Sequence, residues 1–145
     1  MSDSKAQAEV LMNDLVDFAE KMLNTNGEFH PFGGYLSEKE DVVHAGISPD
    51  VHWTSDQHRL DALTKSFRSL AREKRPLAFG IVTNVSLAGD AREIDAIRVF
   101  LEHRSGYCSD VFFHYTLTNE RSTNITSVIA QQGIPHLFLD ASMNS

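Results

Sequence analysis

Apolar residues recur along this chain with two different periods, and the switches between them mark its elements. Over residues 4–24, Ala8, Leu11, Leu15, Phe18, Ala19 and Met22 fall three and four positions apart, while Asp14, Asp17, Glu20 and Lys21 take the other side. That spacing is one stripe on a helix of 3.6 residues per turn. Asn24-Thr25-Asn26-Gly27 closes the segment, and Asn26 or Gly27 suits the left-handed cap that ends a helix. A second stripe, Leu60, Leu63, Phe67 and Leu70, predicts a helix over 55–73. Thr54 or Ser55 is its N-cap, Asp56 places negative charge in its first turn, and Pro76 stops it.

Elsewhere the period is two, the signature of strands whose side chains alternate between faces. Residues 27–36 (GEFHPFGGYL) and 41–47 predict a short hairpin. Pro31 favours an edge or a strand start, and Gly33-Gly34 a bulge or a close backbone approach. Leu77, Phe79, Ile81, Thr83, Val85 and Leu87 alternate with smaller or polar residues, which predicts a long strand. Residues 91–118 predict two more strands joined at Arg104-Ser105-Gly106, where Gly106 can supply a positive φ. Ile97, Val99 and Leu101 share one face of the first, opposite Arg98 and Glu102. The spacing of Ile125, Val128 and Ile129 suggests a short helix over 122–132, stopped by Gly133. Residues 134–139 then form a short strand or a hydrophobic strap. The expected architecture is one α+β domain over residues 1–145. It has two layers: an antiparallel sheet of about five strands, with both main helices on one face. The order is α-β-β-α-β-β-β, followed by a short C-terminal helix or strand.

Composition narrows the function classes. At 145 residues, 41% hydrophobic and 23% charged, the chain reads as an ordinary globular domain long enough to bury its own core. A net charge of −7 repels phosphate backbones, so no nucleic-acid partner is expected. The one basic cluster, Arg68, Arg72, Lys74 and Arg75, complements the dipole at a helix C-terminus. A single cysteine, Cys108, precludes an internal disulfide. With no basic-then-apolar leader and no apolar run of roughly 18 residues, the expectation is a cytoplasmic protein with no membrane partner.

Candidate chemistry is sparse. The seven histidines, His30, His44, His52, His58, His103, His114 and His136, are never closer than six positions, and no H-x-x-x-H, C-x-x-C or H-E-x-x-H occurs. No metal, cofactor or catalytic residue is therefore assigned. Cys108, Asp110 and His114 share one side of a strand, but Cys108 and His114 would lie about 20 Å apart at roughly 3.3 Å per residue, too far for a nucleophile–base pair. No phosphate-binding glycine motif is present. The unusual polar triplet is Glu102-His103-Arg104 at the hairpin end, which offers an anion or partner contact or a solvated ion pair. Phe100 and Phe112 fall on the sheet face opposite the aliphatic set, so they mark either a partner surface or a floor covered by Leu137, Phe138 and Leu139.

Two segments, GEFHPFGGYL and AIRVFLEHRSGYCSDVFFHY (96–115), together resemble a family of small, largely uncharacterised bacterial domains. In that family an N-terminal helix precedes a G-x-F-x-P-F-G-type strand, and a later strand reads A-I-x-V-x-L-E-H-R-x-G. The likeness covers about residues 10–117 and omits the tail. It implies a single compact domain and no established activity.

The leading expectation is a non-enzymatic, acidic protein-interaction domain. It is expected to be a homodimer, with another protein as a further partner, and to use an edge strand or the outer sheet face around Phe100, Phe112, Glu102 and Arg104. The alternative is a small-molecule-binding or sensing domain with a pocket lined by Phe29, Phe32, Tyr35 and Trp53. A third reading is an enzyme whose histidines and carboxylates gather from separate strands.

Overall fold

The computed structural model describes residues 3–45, 55–89, 92–120 and 122–138. Helix α1 spans Ser4–Asn26. The Asp3 carboxylate accepts from the Ala6 N–H at 2.7 Å to start it, and Gly27, at φ 78°, ends it by donating its N–H to the Leu23 carbonyl. Strands β1 (Phe32–Leu36) and β2 (Val42–Ala45) form the first hairpin, with β1 starting directly after Pro31. Helix α2 (Asp56–Glu73) is capped by the Ser55 hydroxyl, which accepts from the His58 N–H. Strands β3 (Ala78–Ala88), β4 (Glu93–His103), β5 (Cys108–Leu117) and β6 (Thr123–Gln132) are the other elements among the described residues. They form one antiparallel sheet in the order β2-β1-β3-β4-β5-β6. Among the described residues, no helix is long and apolar enough to cross a membrane.

This α+β architecture departs from the sequence expectation in two ways. Residues 122–132 contribute a sixth strand, not a short helix. Thr123, Ile125, Thr126, Val128 and Ile129 are β-branched and suit a pleated strand. The turn before it closes on the Thr118 N–H to the Ser122 carbonyl and the Ser122 N–H to the Thr118 hydroxyl, both at 3.1 Å. The free edge of β5 then supplies its ladder.

The second departure concerns the layers. The helices lie on opposite faces of the sheet, not on one. Leu11, Leu15 and Leu23 of α1 pack against Leu36, Val82, Ile97, Val99, Leu101 and Val111. Leu63, Phe67 and Ala71 of α2 pack against Phe79, Ile81 and Phe100. The physical cause is visible in β3, where Ala78 through Val82 are buried without alternation, as happens when both faces of a strand are covered. Gly33 and Gly34 show the same sandwiching residue by residue. A Cβ on Gly33 would lie 3.0 Å from the Phe67 ring, and one on Gly34 would lie 3.1 Å from a Leu15 methyl. Adjacent strand residues point to opposite faces, so the two glycines admit one helix each.

Residues 133–138 form a strap returning over the α2 face. Leu137 and Phe138 are buried there, with Phe138 5.1 Å from Phe79 between ring centroids.

Candidate functional site

The strap is held by one buried carboxylate. Glu102, 1% exposed, accepts the backbone N–H groups of His136 (2.7 Å), Leu137 (2.9 and 3.1 Å) and Phe138 (2.8 Å). Three donors saturate both oxygens, which is how a charged side chain is tolerated in the interior. Arg68 of α2 adds a bond from its Nε to the His136 carbonyl at 2.9 Å.

A cleft of about 400 Å³ lies between strap, helix and sheet. Ile81 and Phe100 line its floor, Leu60, Asp61 and Thr64 its α2 side, and Gly133, Ile134 and His136 its strap side. The His136 ring leans on Phe100 with centroids 4.7 Å apart. Within the cleft, the Arg98 Nε and Nη2 donate to the two Asp110 oxygens at 2.8 and 2.6 Å. Asp110 is buried, while the Arg98 side chain is 43% exposed. The hydrogen bond to Asp110 raises the Arg98 pKa further, so the guanidinium keeps its charge. Its central carbon also lies 5.7 Å from the centre of the Phe112 ring, its cross-strand neighbour.

The proposed surface residues therefore play different parts. Phe100 is buried as cleft floor, beside Leu137 and Phe138 in the same cluster, so it is no outer-face contact. Leu139 lies outside the described residues. Phe112 is half-buried beneath Arg98. Glu102 is the strap's anchor and is inaccessible to a partner. Arg104 is exposed and bonded to Glu38 and to the Arg75 carbonyl.

Nor do the four aromatic candidates share a pocket. Phe29 and Phe32 pack edge-to-face at 5.7 Å on the α1 side, whereas Tyr35 contacts Phe79 on the α2 side. Phe32 and Tyr35 are three positions apart in one strand, an odd spacing that sends them to opposite faces. Trp53 lies outside the described residues.

The histidines are dispersed. His30 contacts Asp56, His44 contacts Asp14, and His103 sits between Gln7 and Ser105. His52 lies outside the described residues. Among the described residues, no group of three His, Cys, Asp or Glu side chains is placed to hold a metal ion. Cys108 is buried, and its thiol pKa is pushed up to about 12 by burial first and then by the charges of Glu102 and Asp110. A thiol so protonated is a poor nucleophile.

Sequence reasoning missed two features. One is the Arg98–Asp110 pair. Counting back from the hairpin turn places Asp110 opposite Phe100, one diagonal step from Arg98 on the same face. The other is β6 as a sheet edge. It is ten residues long, carries no Lys, Arg, Asp, Glu or Pro, and exposes Val128 (55%) and Ile129 (49%) on its two faces. The opposite edge, β2, is only four residues, with His44 bonded back to α1 through Asp14.

Comparison of the chain with protein-family models, with curated proteins and with solved structures returned no match.

Proposed function

We propose that this chain is a non-enzymatic interaction domain that works as a homodimer joined edge to edge through β6. The observation that carries this reading is the outer edge of β6, against which no further strand pairs among the described residues. Long exposed edges present unpaired N–H and C=O groups and pair readily with another strand. Monomeric proteins blunt them with charge, proline, bulges or brevity. The outer half of β6, from Ser127 to Gln132, has no such device; one register irregularity precedes it, opposite His114 and Tyr115.

A second copy of the chain is the occupant best matched to this edge. Antiparallel pairing of a strand with itself is self-complementary under two-fold symmetry. Two copies of a −7 chain repel each other, and an uncharged strand is where they approach with least repulsion. Pairing centred on Val128 sets that side chain opposite its symmetry mate, partly covers Ile129 with the neighbouring strand and continues the sheet across the dimer. An additional protein partner would then meet the combined faces of the extended sheet.

The test is the solution mass of the wild type and of Val128→Lys and Ile129→Lys variants by native mass spectrometry and light scattering. Both positions are exposed, so the variants keep their fold, checked by circular dichroism. The expected result is twice the 16.2 kDa chain mass for the wild type and a monomer for each variant. A monomeric wild type, or variants as dimeric as the wild type, rejects the proposal.

A further inference from the structure

Nothing in the β6 reading uses the cleft between α2, the sheet and the strap, which brings apolar, cationic and anionic side chains together. At about 400 Å³ it falls toward the small end of ligand-binding cavities and suits a small molecule. Its charges select further. Arg98 contributes a fixed positive group, and Asp61 and Asp110 contribute two carboxylates.

A simple anion is disfavoured by two carboxylates in a chain of net charge −7. A simple cation is disfavoured by a guanidinium that cannot release its proton. Asp110 engages only the Nε–Nη2 edge of Arg98, which leaves the Nη1 donors and the second Nη2 hydrogen for a planar acceptor such as a carboxylate. Asp61 accepts one bond from Gln57 and is otherwise exposed, with lone pairs for an ammonium group. Leu60, Ile81, Phe100 and Ile134 supply an apolar wall. Ile134 is 82% exposed, apolar area that a bound molecule would cover.

We infer that this cleft binds a free α-amino acid with an apolar side chain. Its carboxylate lies on the outer edge of Arg98, its ammonium group on Asp61, and its side chain on the wall formed by Leu60, Ile81, Phe100 and Ile134. The neutral Arg98–Asp110 pair holds the guanidinium in place before the ligand arrives, so little rotamer freedom is lost on binding. All of these groups belong to one protomer, so the inference stands or falls apart from the β6 edge.

The test is an NMR titration of the full chain with L-leucine and its two single-charge relatives. Isoamylamine lacks the carboxylate, and 4-methylpentanoate lacks the ammonium group. Saturable shifts with L-leucine at Arg98 Nε and at the 131–134 amides are expected, with each relative at least about tenfold weaker. Asp61→Asn, at an exposed site, should weaken L-leucine and strengthen 4-methylpentanoate, because a repulsive charge is removed. Arg98→Gln combined with Asp110→Asn avoids stranding a buried charge and should abolish binding of L-leucine. The inference is overturned by the absence of saturable shifts at concentrations covering Kd values up to about 1 mM. It is equally overturned if a single-charge relative binds as tightly as L-leucine, or if Asp61→Asn leaves the three affinities unchanged.

Discussion

Replacing Glu102 by glutamine changes almost no volume and tests whether one carboxylate holds the strap. In the native structure its two oxygens accept four contacts from three N–H groups. Glutamine offers one oxygen and one NH2. With the amide oxygen at the Oε1 position, the bonds from His136 and Leu137 survive but lose their charge assistance. The NH2 group then faces the Phe138 N–H, donor against donor. Leaving one buried N–H unpaired costs about 1–3 kcal/mol, and two charge-assisted bonds reduced to neutral ones add about 1 kcal/mol or more. The easier burial of a neutral side chain gives part of this back. The net expectation is a loss of about 1–3 kcal/mol. The loss should be local first, because the strap can lift without breaking the sheet. Amide exchange read by NMR should therefore accelerate on the order of 10- to 100-fold at Leu137 and Phe138 under native conditions, while the amides of β3 and β4 change far less. The reasoning fails if exchange at 136–138 is unchanged, or if the variant unfolds as one unit with no strap-specific opening.

Two further predictions concern the opposite face and the sheet itself. His103 donates from Nε2 to the Gln7 side chain and accepts the Ser105 N–H at Nδ1, which fixes the neutral tautomer. Burial, and secondarily the charge of Arg104, lowers its pKa. The unfolded chain then takes up a proton near pH 6.5 that the folded chain refuses. Stability from this site is present above about pH 6.5 and is lost as pH falls below it, by at most about 1.4 kcal/mol per unit. Urea midpoints at about pH 7.5 and pH 5.5 should differ less in His103→Gln than in the wild type, and an equal difference refutes the assignment. Gly33→Ala places a Cβ 2.5 Å from the Gly80 carbonyl oxygen, a backbone atom that moves only if β1 and β3 separate. Urea unfolding should show a loss of about 1–3 kcal/mol or more, and wild-type stability would mean that the two strands are not so closely apposed.

How far the fold was legible in the sequence depended on whether the signal was local. Both helices were legible in their stripes, and each cap was narrowed to two neighbouring residues, of which Gly27 and Ser55 are the ones used, because capping involves residues within a turn of each other. The β4–β5 hairpin was legible because its turn fixes its register, and Gly106 takes a positive φ of 105° there. The C-terminal segment was not, because Ile125, Val128 and Ile129 fit a helical stripe as well as they fit a strand. The free edge of β5, a non-local partner, decides the outcome. The number of layers was misread for a related reason. Both helices were expected on one face, yet the unbroken run from Ala78 to Val82 already lacked the polar positions that a solvated face requires.

The candidate site was harder to read because its residues are ordinary one at a time. Arg98 and Asp110 read as outward-facing polar residues until the hairpin register sets them one diagonal step apart. Glu102 read as part of an exposed polar triplet, offering either a partner contact or a solvated ion pair. Its burial is dictated by the strap, which crosses the α2 face there because Leu137 and Phe138 need the apolar surface around Phe79 and Phe100. The chain thus places a carboxylate where a returning backbone will need acceptors. The same crossing that seals Phe79 leaves a cleft at Phe100 and Arg98. Among the described residues, β4 and β5 are covered on this face by a strap and not by a third helix. Beside that strap the Arg98 side chain is 43% exposed, and β6 is paired with β5 alone. Both features follow from a sheet whose α2-side core is closed at this end by returning backbone, which covers Phe79 and Phe100 without spanning the whole face.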